Sequence, residues 1–221
     1  MSKRVTFYID GFNFYYGLRR ARKAESRWGE YYWLDMVKFC RSFLGQDQEL
    51  ARVIYFTATP LSSDKSSRQS AFLNANKLLN GDLFEIVRGK YFTKDISCPY
   101  CNATFLRPEE KRTDVNISVR MMGDCERNNT DSLVLVSADS DLVPPLSYIQ
   151  QYHKDKKVKV YFPPSDTCRD LTNHLKRNGG KPTLLQLNER RFQESLMPDT
   201  VQVDDKTVSI PKKWKDFRQK A

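Results

Sequence analysis

The sequence predicts an α/β fold, a three-layer sandwich with a mainly parallel central sheet flanked by helices, followed by a short C-terminal arm. Two observations favour it. Short runs of β-branched and aromatic residues alternate along the chain with segments whose apolar residues recur at helical spacing. Strands separated by helices in this way indicate βαβ units, whose parallel sheet is covered on both faces.

Five strands are predicted from β-branched and aromatic runs that end at turn residues. The first run stops at Asp10-Gly11, and prolines close the second and the fifth. The predicted strands are residues 5–9, 51–59, 84–92, 132–137 and 157–164.

Helices are predicted between these strands from apolar spacing and from capping residues. Ser66 is a cap-type residue, Gly81 is a helix stop, and prolines follow Val143 as a helix N-terminus allows. The predicted helices are residues 12–23, 34–44, 66–80, 114–124, 143–152 and 166–177. The apolar face of the fourth helix is assigned to Val115, Ile117, Val119 and Met122.

The pattern predicts one domain, residues 1–180, and a C-terminal arm or tail, residues 181–221. An irregular insert that contains Cys98 and Cys101 interrupts the domain at about residues 93–110. The stretch NGGKP is a linker signal before the arm, which is poor in apolar residues and ends in a basic segment. The arm is too short to be an independent domain.

Composition narrows the classes of protein and partner. With 37 Lys and Arg against 27 Asp and Glu, the net charge of +10 is consistent with a nucleic-acid partner, or with a merely solvated basic surface. The five cysteines are odd in number, which indicates a reducing compartment rather than a disulfide framework. No apolar run approaches the roughly 20 residues of a membrane span. We therefore expect a cytoplasmic protein that does not enter a membrane.

Four aspartates fall where the predicted fold brings them to one edge of the sheet. Asp10 ends the first strand, and Asp114 opens the helix after the insert. Asp139 and Asp141 directly follow the fourth strand. Clustered carboxylates repel one another unless a cation joins them, and oxygen ligands suit Mg²⁺ or Mn²⁺. The pattern indicates metal-dependent phosphodiester hydrolysis; the alternative is that each aspartate only caps a helix or forms a turn.

Three stretches of the chain resemble one known family. In this order, TFYIDGFNFYYGL, EEKRTDVNISV and TDSLVLVSADSDLVPPL resemble the NYN domain family, a branch of the PIN-like nucleases. The resemblance runs over about residues 5–177, most of the chain. It implies a PIN-like, Rossmann-like fold and cleavage of RNA that depends on Mg²⁺ or Mn²⁺.

The resemblance also implies a set of site residues. Asp10, Asp114, Asp139 and Asp141 look like the metal ligands and catalytic acids of the family. Asn13 looks like the polar companion that orients water or phosphate.

Some positions depart from the family's pattern or carry supporting acids. Asp124 and Asp131 fall on acidic positions of relatives, and we expect structural roles for them. Arg120 and Asn173 stand where some branches carry acids. The site therefore has fewer acidic residues than in those branches, and an inactive, RNA-binding descendant of the family is an alternative.

Basic and hydroxyl side chains near the acids are candidates for contact with RNA. The aromatic and basic segment 15–33 could stack single-stranded bases beside a phosphate-binding surface, or its rings could simply cover the first helix. For the polar candidates the alternatives are a solvated surface and a turn cap. The candidates are Arg19, Arg20, Lys111, Arg112 and Ser137.

Cys98 and Cys101 have the two-residue spacing of half a structural zinc site. The other Cys and His residues are scattered, so a second chain in a homodimer would have to complete the site. A redox pair, or two unligated cysteines in a tight turn, are alternatives. The sequence therefore leaves zinc binding at this pair of cysteines open.

Three functions remain open on the sequence. The first is a metal-dependent endoribonuclease acting on single-stranded or structured RNA through metal-activated water. The second is a catalytically weak or silent RNA-binding module of the same fold. The third is a Mg²⁺-dependent phosphatase with an aspartyl nucleophile, ranked last because residue 12 is Phe and the paired aspartates follow the fourth strand.

Overall fold

The computed structural model describes residues 2–97, 99–101 and 103–219, without the side chains of residues 107–110. The strands in this part are β1 (Lys3–Asp10), β2 (Gln48–Thr57), β3 (Phe84–Arg88), β4 (Lys90–Ser97), β5 (Thr104–Lys111), β6 (Ser132–Val136), β7 (Lys157–Phe162), β8 (Thr183–Leu184), β9 (Thr200–Val203) and β10 (Lys206–Ser209). The helices are α1 (Gly11–Ala24), α2 (Met36–Arg41), α3 (Ser63–Asn80), α4 (Thr113–Glu126), α5 (Val143–Tyr152), α6 (Arg169–Arg177), α7 (Glu189–Glu194) and α8 (Lys212–Arg218).

Six strands form one parallel sheet in the order β3-β2-β1-β6-β7-β8, so the predicted α/β fold is confirmed. The order reverses between β1 and β6: the chain moves outward from β1 through β2 and β3, and later from β6 through β7 and β8. Ligands of open parallel sheets bind beyond the carboxyl ends of the strands at such a reversal. The ends of β1 and β6 therefore mark the place to look for a site.

Two hydrophobic layers cover the sheet because side chains alternate between the faces of a strand. In β1, Phe7 and Ile9 face one layer and Tyr8 faces the other. The first layer contains α1, α2, α3, α7 and α8 and is rich in aromatic rings. The second contains α4, α5 and α6 and is mostly aliphatic. None of the helices in the described ranges combines the length and the apolar character that a bilayer crossing requires.

The segment predicted to be an irregular insert is instead an antiparallel hairpin of β4 and β5. The predicted third strand, residues 84–92, accordingly breaks at Gly89 into β3 and β4. The described side chains of the hairpin are mostly exposed, so the hairpin lacks the apolar pattern by which a buried strand is recognised. Cys101 lies exposed in its turn, and Cys98 lies outside the described residues, so the zinc half-site stays a prediction.

The apolar face predicted for α4 is wrong at Val115 and Val119, whereas Ile117 is buried as predicted and Met122 packs partly against the core. Val115 and Val119 are 63% and 60% exposed, whereas Ile117 and Met121 are fully buried. Residues two apart lie on different sides of a helix, and residues four apart lie on the same side. The buried face therefore follows the spacing from Ile117 to Met121 rather than the valines.

The C-terminal segment, residues 183–218, packs onto the aromatic layer. β8 extends the central sheet beside β7. The Trp33 indole donates a hydrogen bond to the carbonyl of Pro198 at 2.8 Å, and the amide of Met197 donates to the carbonyl of Trp33 at 3.1 Å. Phe192 and Trp214 are buried in the same layer. This segment therefore forms part of the hydrophobic core.

An ion pair joins the start of β1 to the residue before β6. The Arg4 guanidinium donates to both carboxylate oxygens of Asp131, at 2.9 and 3.1 Å, and the Arg4 amide donates to Oδ2 at 2.8 Å. The side-chain hydrogen bonds from Arg4 are the main cause that lowers the pKa of Asp131 from 3.8 to about 2.

This ion pair makes stability depend on pH in the acid range. The ionised Asp131 contributes stability above its unfolded pKa of 3.8, and that contribution is lost as pH falls through about 2. Both side chains are about a third exposed, so we expect the contribution to be ~1 kcal/mol or less. Between pH 5 and pH 2, the free energy of unfolding measured in urea should fall less for Asp131→Asn than for the native chain. An equal decrease in the free energy of unfolding for both proteins would contradict the role given to this ion pair.

Candidate active site

Asp10 ends β1 at the reversal of strand order and is only 2% exposed. Its Oδ1 accepts hydrogen bonds from the backbone amides of Phe12 at 3.1 Å and Asn13 at 3.0 Å, so the carboxylate caps α1. The positive end of the helix dipole favours a negative charge at this position. The capping reading of the sequence is therefore correct for Asp10, and the cap also places the carboxylate at the sheet edge.

The second carboxylate oxygen of Asp10 is held by two side chains. Its Oδ2 accepts from the Asn13 amide at 2.6 Å and from the Ser137 hydroxyl at 3.0 Å. Ser137 reaches Asp10 because it directly follows β6, which pairs with β1 in the sheet. A carboxylate offers about four lone-pair positions, and these four donors occupy them.

Burial nevertheless makes the ionised form of Asp10 energetically unfavourable. Burial raises the pKa of the Asp10 carboxyl, and the nearby Asp139 raises it further. The hydrogen bonds from Asn13 and Ser137 act in the opposite direction because they favour the charged form. Such opposed influences on a group at a sheet edge are typical of functional sites.

Gly11 allows β2 to approach the end of β1 closely. A Cβ atom at this position would lie 2.4 Å from the Tyr55 ring and 2.6 Å from the carbonyl oxygen of Phe56. The Tyr55 hydroxyl donates to the carbonyl of Gly11 at 3.4 Å. The glycine after Asp10 is therefore required by packing against the neighbouring strand.

Asp139 is linked to Asp10 through Ser137. The Asp139 amide donates to the Ser137 hydroxyl oxygen at 3.1 Å, and that hydroxyl donates to Asp10. Oδ1 of Asp139 accepts from the amide of Asp141 at 2.9 Å and caps the short 3₁₀ turn Ser140–Leu142. The Ser137 hydroxyl thus joins the Asp10 carboxylate to the backbone of Asp139, and the charge of Asp139 acts on Asp10.

Asp114 and Asp141 lie at the same edge of the sheet but outside this cluster. Asp114 is in the first turn of α4, which packs against the turn Ser140–Leu142, and the side chain of Asp141 is exposed. Within residues 2–97, 99–101 and 103–219, no three His, Cys, Asp or Glu side chains converge closely enough to hold a metal ion. Hydrogen bonds join Asp10, Asn13, Ser137 and Asp139, and the metal-ligand role of the four aspartates stays a prediction.

This donor set fits a hard cation held in an open site. Mg²⁺ usually keeps several waters and is bound through one or two carboxylates together with substrate phosphates. Asp10 and Asp139 supply such oxygens. Because donors fill the lone pairs of Asp10, direct ligation requires one of them to turn away, and rotation of the Asn13 amide would present its own oxygen.

Asp124 and Asp131, for which structural roles were predicted, have partners elsewhere in this chain. Asp124 is buried and accepts from the Tyr8 hydroxyl at 2.9 Å and from Arg120 Nε at 2.9 Å. Asp131 is paired with Arg4. Neither carboxylate belongs to the cluster around Asp10.

The basic residues predicted to contact RNA lie in two places. On α1, Arg20 pairs with Asp166, and the Arg19 guanidinium lies 5.6 Å from the centre of the Tyr16 ring. Lys111 ends β5, and Arg112 follows with a left-handed backbone, φ 80°, and its guanidinium 5.7 Å from the Phe92 ring. Their role in RNA binding stays a prediction.

A cavity of about 420 Å³, next to α1 and β2, was not predicted as a site. Gly11 and Phe12, which follow Asp10 in the chain, line it, and ten of the nineteen described residues that line it are aromatic. The aromatic segment 15–33, which the sequence indicates as a candidate for base stacking, contributes several of these rings. Arg68 and Trp214 come from α3 and α8, so only the folded chain brings them to the same cavity.

Comparison with known proteins gives a family, one curated relative and one solved structure. Residues 4–177 match the family model of the NYN domain. The 6-hydroxy-3-succinoylpyridine 3-monooxygenase HspA of Pseudomonas putida is 27% identical; the match covers 78% of this chain and spans 63% of that protein's length. A crystal structure of a Vibrio parahaemolyticus protein of unknown function is 20% identical, with a TM-score of 0.47, and the match covers 78% of this chain and 89% of that one.

Proposed function

This chain belongs to the NYN domain family of the PIN-like nuclease superfamily, and from that premise we propose that it is a metal-dependent ribonuclease. The observation that carries the proposal is the buried Asp10, held by four hydrogen-bond donors at the reversal of strand order and bridged by Ser137 to Asp139. A carboxylate is buried in this way only where its charge is used or fully compensated.

The residues of the cluster divide into ligands and positioning groups. Asp10 and Asp139 would hold a Mg²⁺ or Mn²⁺ ion, which when bound makes water a better nucleophile and offsets phosphate charge. Ser137 is a positioning group, because its two hydrogen bonds join the Asp10 carboxylate to the backbone amide of Asp139. Asn13 orients Asp10 and can turn its amide toward water or phosphate.

Further groups at the same edge of the sheet would act when RNA is bound. Asp114 and Asp141 stand beside the pair and would add oxygen ligands once a cation and a phosphate draw them in. Lys111 and Arg112 would contact phosphate, because they lie at the end of the hairpin next to Asp114. Positive side chains around an acidic centre keep the RNA backbone close without neutralising the acids themselves.

The proposal is tested by replacing Asp139, whose side chain is only partly buried. We expect Asp139→Asn to lower the rate of Mn²⁺- or Mg²⁺-dependent cleavage of a single-stranded RNA by about 100-fold or more, since several kcal/mol of charge stabilisation depend on the cation. The matched control is Asp205→Asn, in the exposed turn between β9 and β10. Cleavage should stop in EDTA.

Three outcomes would reject the proposal. RNA binding that is unaffected by EDTA, without any cleavage, would favour a binding module of the same fold. Release of phosphate from a small phosphate ester, with RNA left intact, would favour a phosphatase. Equal cleavage by Asp139→Asn and Asp205→Asn would remove the carboxylate pair from the mechanism.

A second candidate function comes from the curated relative. Its name describes a monooxygenase of a succinoylpyridine, and the observation that favours a small aromatic substrate here is the ring-lined cavity. Monooxygenation consumes dioxygen and a two-electron reductant. The test is aerobic incubation with 6-hydroxy-3-succinoylpyridine and a reduced nicotinamide cofactor; unchanged substrate would reject this candidate.

A further inference from the structure

We propose that the cavity beside Asp10 binds one unpaired nucleobase of the RNA, with the attached phosphate at Lys65 and Arg68. The inference rests on the proposed ribonuclease function and adds a binding site for a base to it. It is carried by three features of the cavity: its ring-lined walls, its cationic side and the presence in its lining of Gly11 and Phe12, which follow Asp10 in the chain.

The walls present ring faces and ring edges to a planar ligand. Phe12 and Tyr16 lie parallel, with centroids 6.4 Å apart and an interplanar angle of 16°, and Tyr91 meets Phe12 edge-on at 5.9 Å. A volume of about 420 Å³ falls within the roughly 300–1,000 Å³ of small-ligand sites. Stacking on aromatic side chains is how proteins hold unpaired bases, since every base has a π-face.

The polar part of the lining is positive or neutral. Lys65 and Arg68 lie one turn apart on α3, and no acidic side chain occurs among the described residues that line the cavity. Arg68 is itself buried and pairs with Asp64, but that carboxylate is 73% exposed and sits outside the lining. A phosphate can therefore approach the two cations without displacing a buried ion pair.

Two further side chains offer hydrogen bonds to the edge of a base. Thr57 and Gln69 line the cavity, and the Gln69 amide donates to the Thr57 hydroxyl at 2.8 Å and to the carbonyl of Ala58 at 3.2 Å. Both side chains can exchange these bonds for bonds to a ligand, because hydroxyls and amides donate as well as accept. A base would thus meet apolar rings on its faces and polar groups at its rim.

The cavity is linked along the chain to the candidate active site. Gly11 and Phe12 line the cavity and directly follow Asp10, so a base in the cavity would leave its neighbouring phosphate close to the carboxylate pair. A base in a duplex is stacked and paired and enters such a pocket only after costly extrusion. An unpaired base therefore enters this pocket at a lower cost than a base in a duplex.

The experiment measures binding separately from cleavage. The full chain is titrated with AMP in EDTA by calorimetry, so that no metal-dependent reaction contributes. We expect Tyr16→Ala and Lys65→Ala each to weaken binding of AMP by roughly 5- to 100-fold, as expected for loss of a stacking ring or a phosphate contact. Tyr148→Ala removes an equally exposed tyrosine from α5, and Lys176→Ala an exposed lysine from α6; neither should change binding.

The outcomes separate this inference from the proposed function. Binding of AMP that needs Tyr16 and Lys65 supports the pocket even where no cleavage is found, and then only the ribonuclease proposal fails. Cleavage of RNA without binding of AMP at millimolar concentration overturns the pocket alone. Binding of nicotinate but not of AMP overturns it in favour of a small heteroaromatic acid. Cleavage of a duplex as fast as of its single strands overturns the requirement for an unpaired base.

Discussion

The variant Asp10→Asn should lose metal-dependent RNA cleavage almost completely, on the order of 1,000-fold, while the chain stays folded. The loss follows because the amide is neutral and a poor ligand for a hard cation. The fold is kept because asparagine is also a good cap, and its oxygen can still accept from the amides of Phe12 and Asn13. Few substitutions would separate chemistry from folding so cleanly.

The same variant should unfold at an equal or higher temperature than the native chain. Burial raises the pKa of Asp10 in the folded state, so at neutral pH the ionised carboxyl opposes folding. An amide removes that cost and can bond to the hydroxyl of Ser137 and, after rotation, to the oxygen of Asn13. A site that is more stable after its key acid is neutralised is typical of stability given up for function.

Cleavage of a labelled single-stranded RNA in Mg²⁺ and in Mn²⁺, together with thermal melting, checks both expectations. Asp205→Asn again serves as the control, because it removes an exposed acid without a change at the sheet edge. Cleavage by Asp10→Asn within tenfold of the native rate would show that Asp10 is only a helix cap. A melting temperature well below that of the control would show that its charge holds the fold together.

Replacing Phe192 with alanine should cost about 3–5 kcal/mol of the free energy of unfolding. The ring is fully buried on α7, with its centroid 4.4 Å from that of Phe39, 5.3 Å from Tyr31 and 5.4 Å from Trp28. Its removal leaves a cavity where the C-terminal segment meets α1 and α2. Rigid rings on all sides cannot collapse into that space, so the cost should lie toward the upper end.

Urea unfolding of Phe192→Ala against Leu187→Ala provides the measurement. Leu187 belongs to the same segment but is 80% exposed, so its truncation should change stability by less than about 0.5 kcal/mol. A cost below about 1 kcal/mol for Phe192→Ala would mean that the C-terminal segment leaves the core easily. A second, earlier unfolding transition would mean that it unfolds as a separate unit.

The sequence was enough to predict five of the six strands of the central sheet, because those five contain apolar runs; β8, only two residues long, was not predicted. The run before Asp10 and the run before Ser137 end where their polar residues begin, and the structure pairs these two strands. The hairpin of β4 and β5 escaped prediction because its exposed strands have no buried face to reveal them. On α4 the valines suggested an apolar face, but helical geometry buries Ile117 and Met121.

The candidate site was predictable as a set of residues but not as a geometry. Spacing along the chain placed Asp10, Asp139 and Ser137 at strand ends. It could not show that the Ser137 hydroxyl would bond both to the carboxylate of one and to the amide of the other, since that depends on the neighbouring positions of β1 and β6. The cavity could not be predicted from the sequence, because its walls come from segments far apart in the chain that only tertiary packing brings together.

Trp214 lines the cavity, yet it lies outside residues 4–177, the part of the chain that matches the family. The carboxylate pair, by contrast, lies wholly within that part. Changes in the C-terminal segment can therefore reshape the pocket while the residues for chemistry stay as they are. Homologues that share the same acids but differ after residue 177 could select different ligands, so substrate choice and catalysis can evolve independently in this architecture.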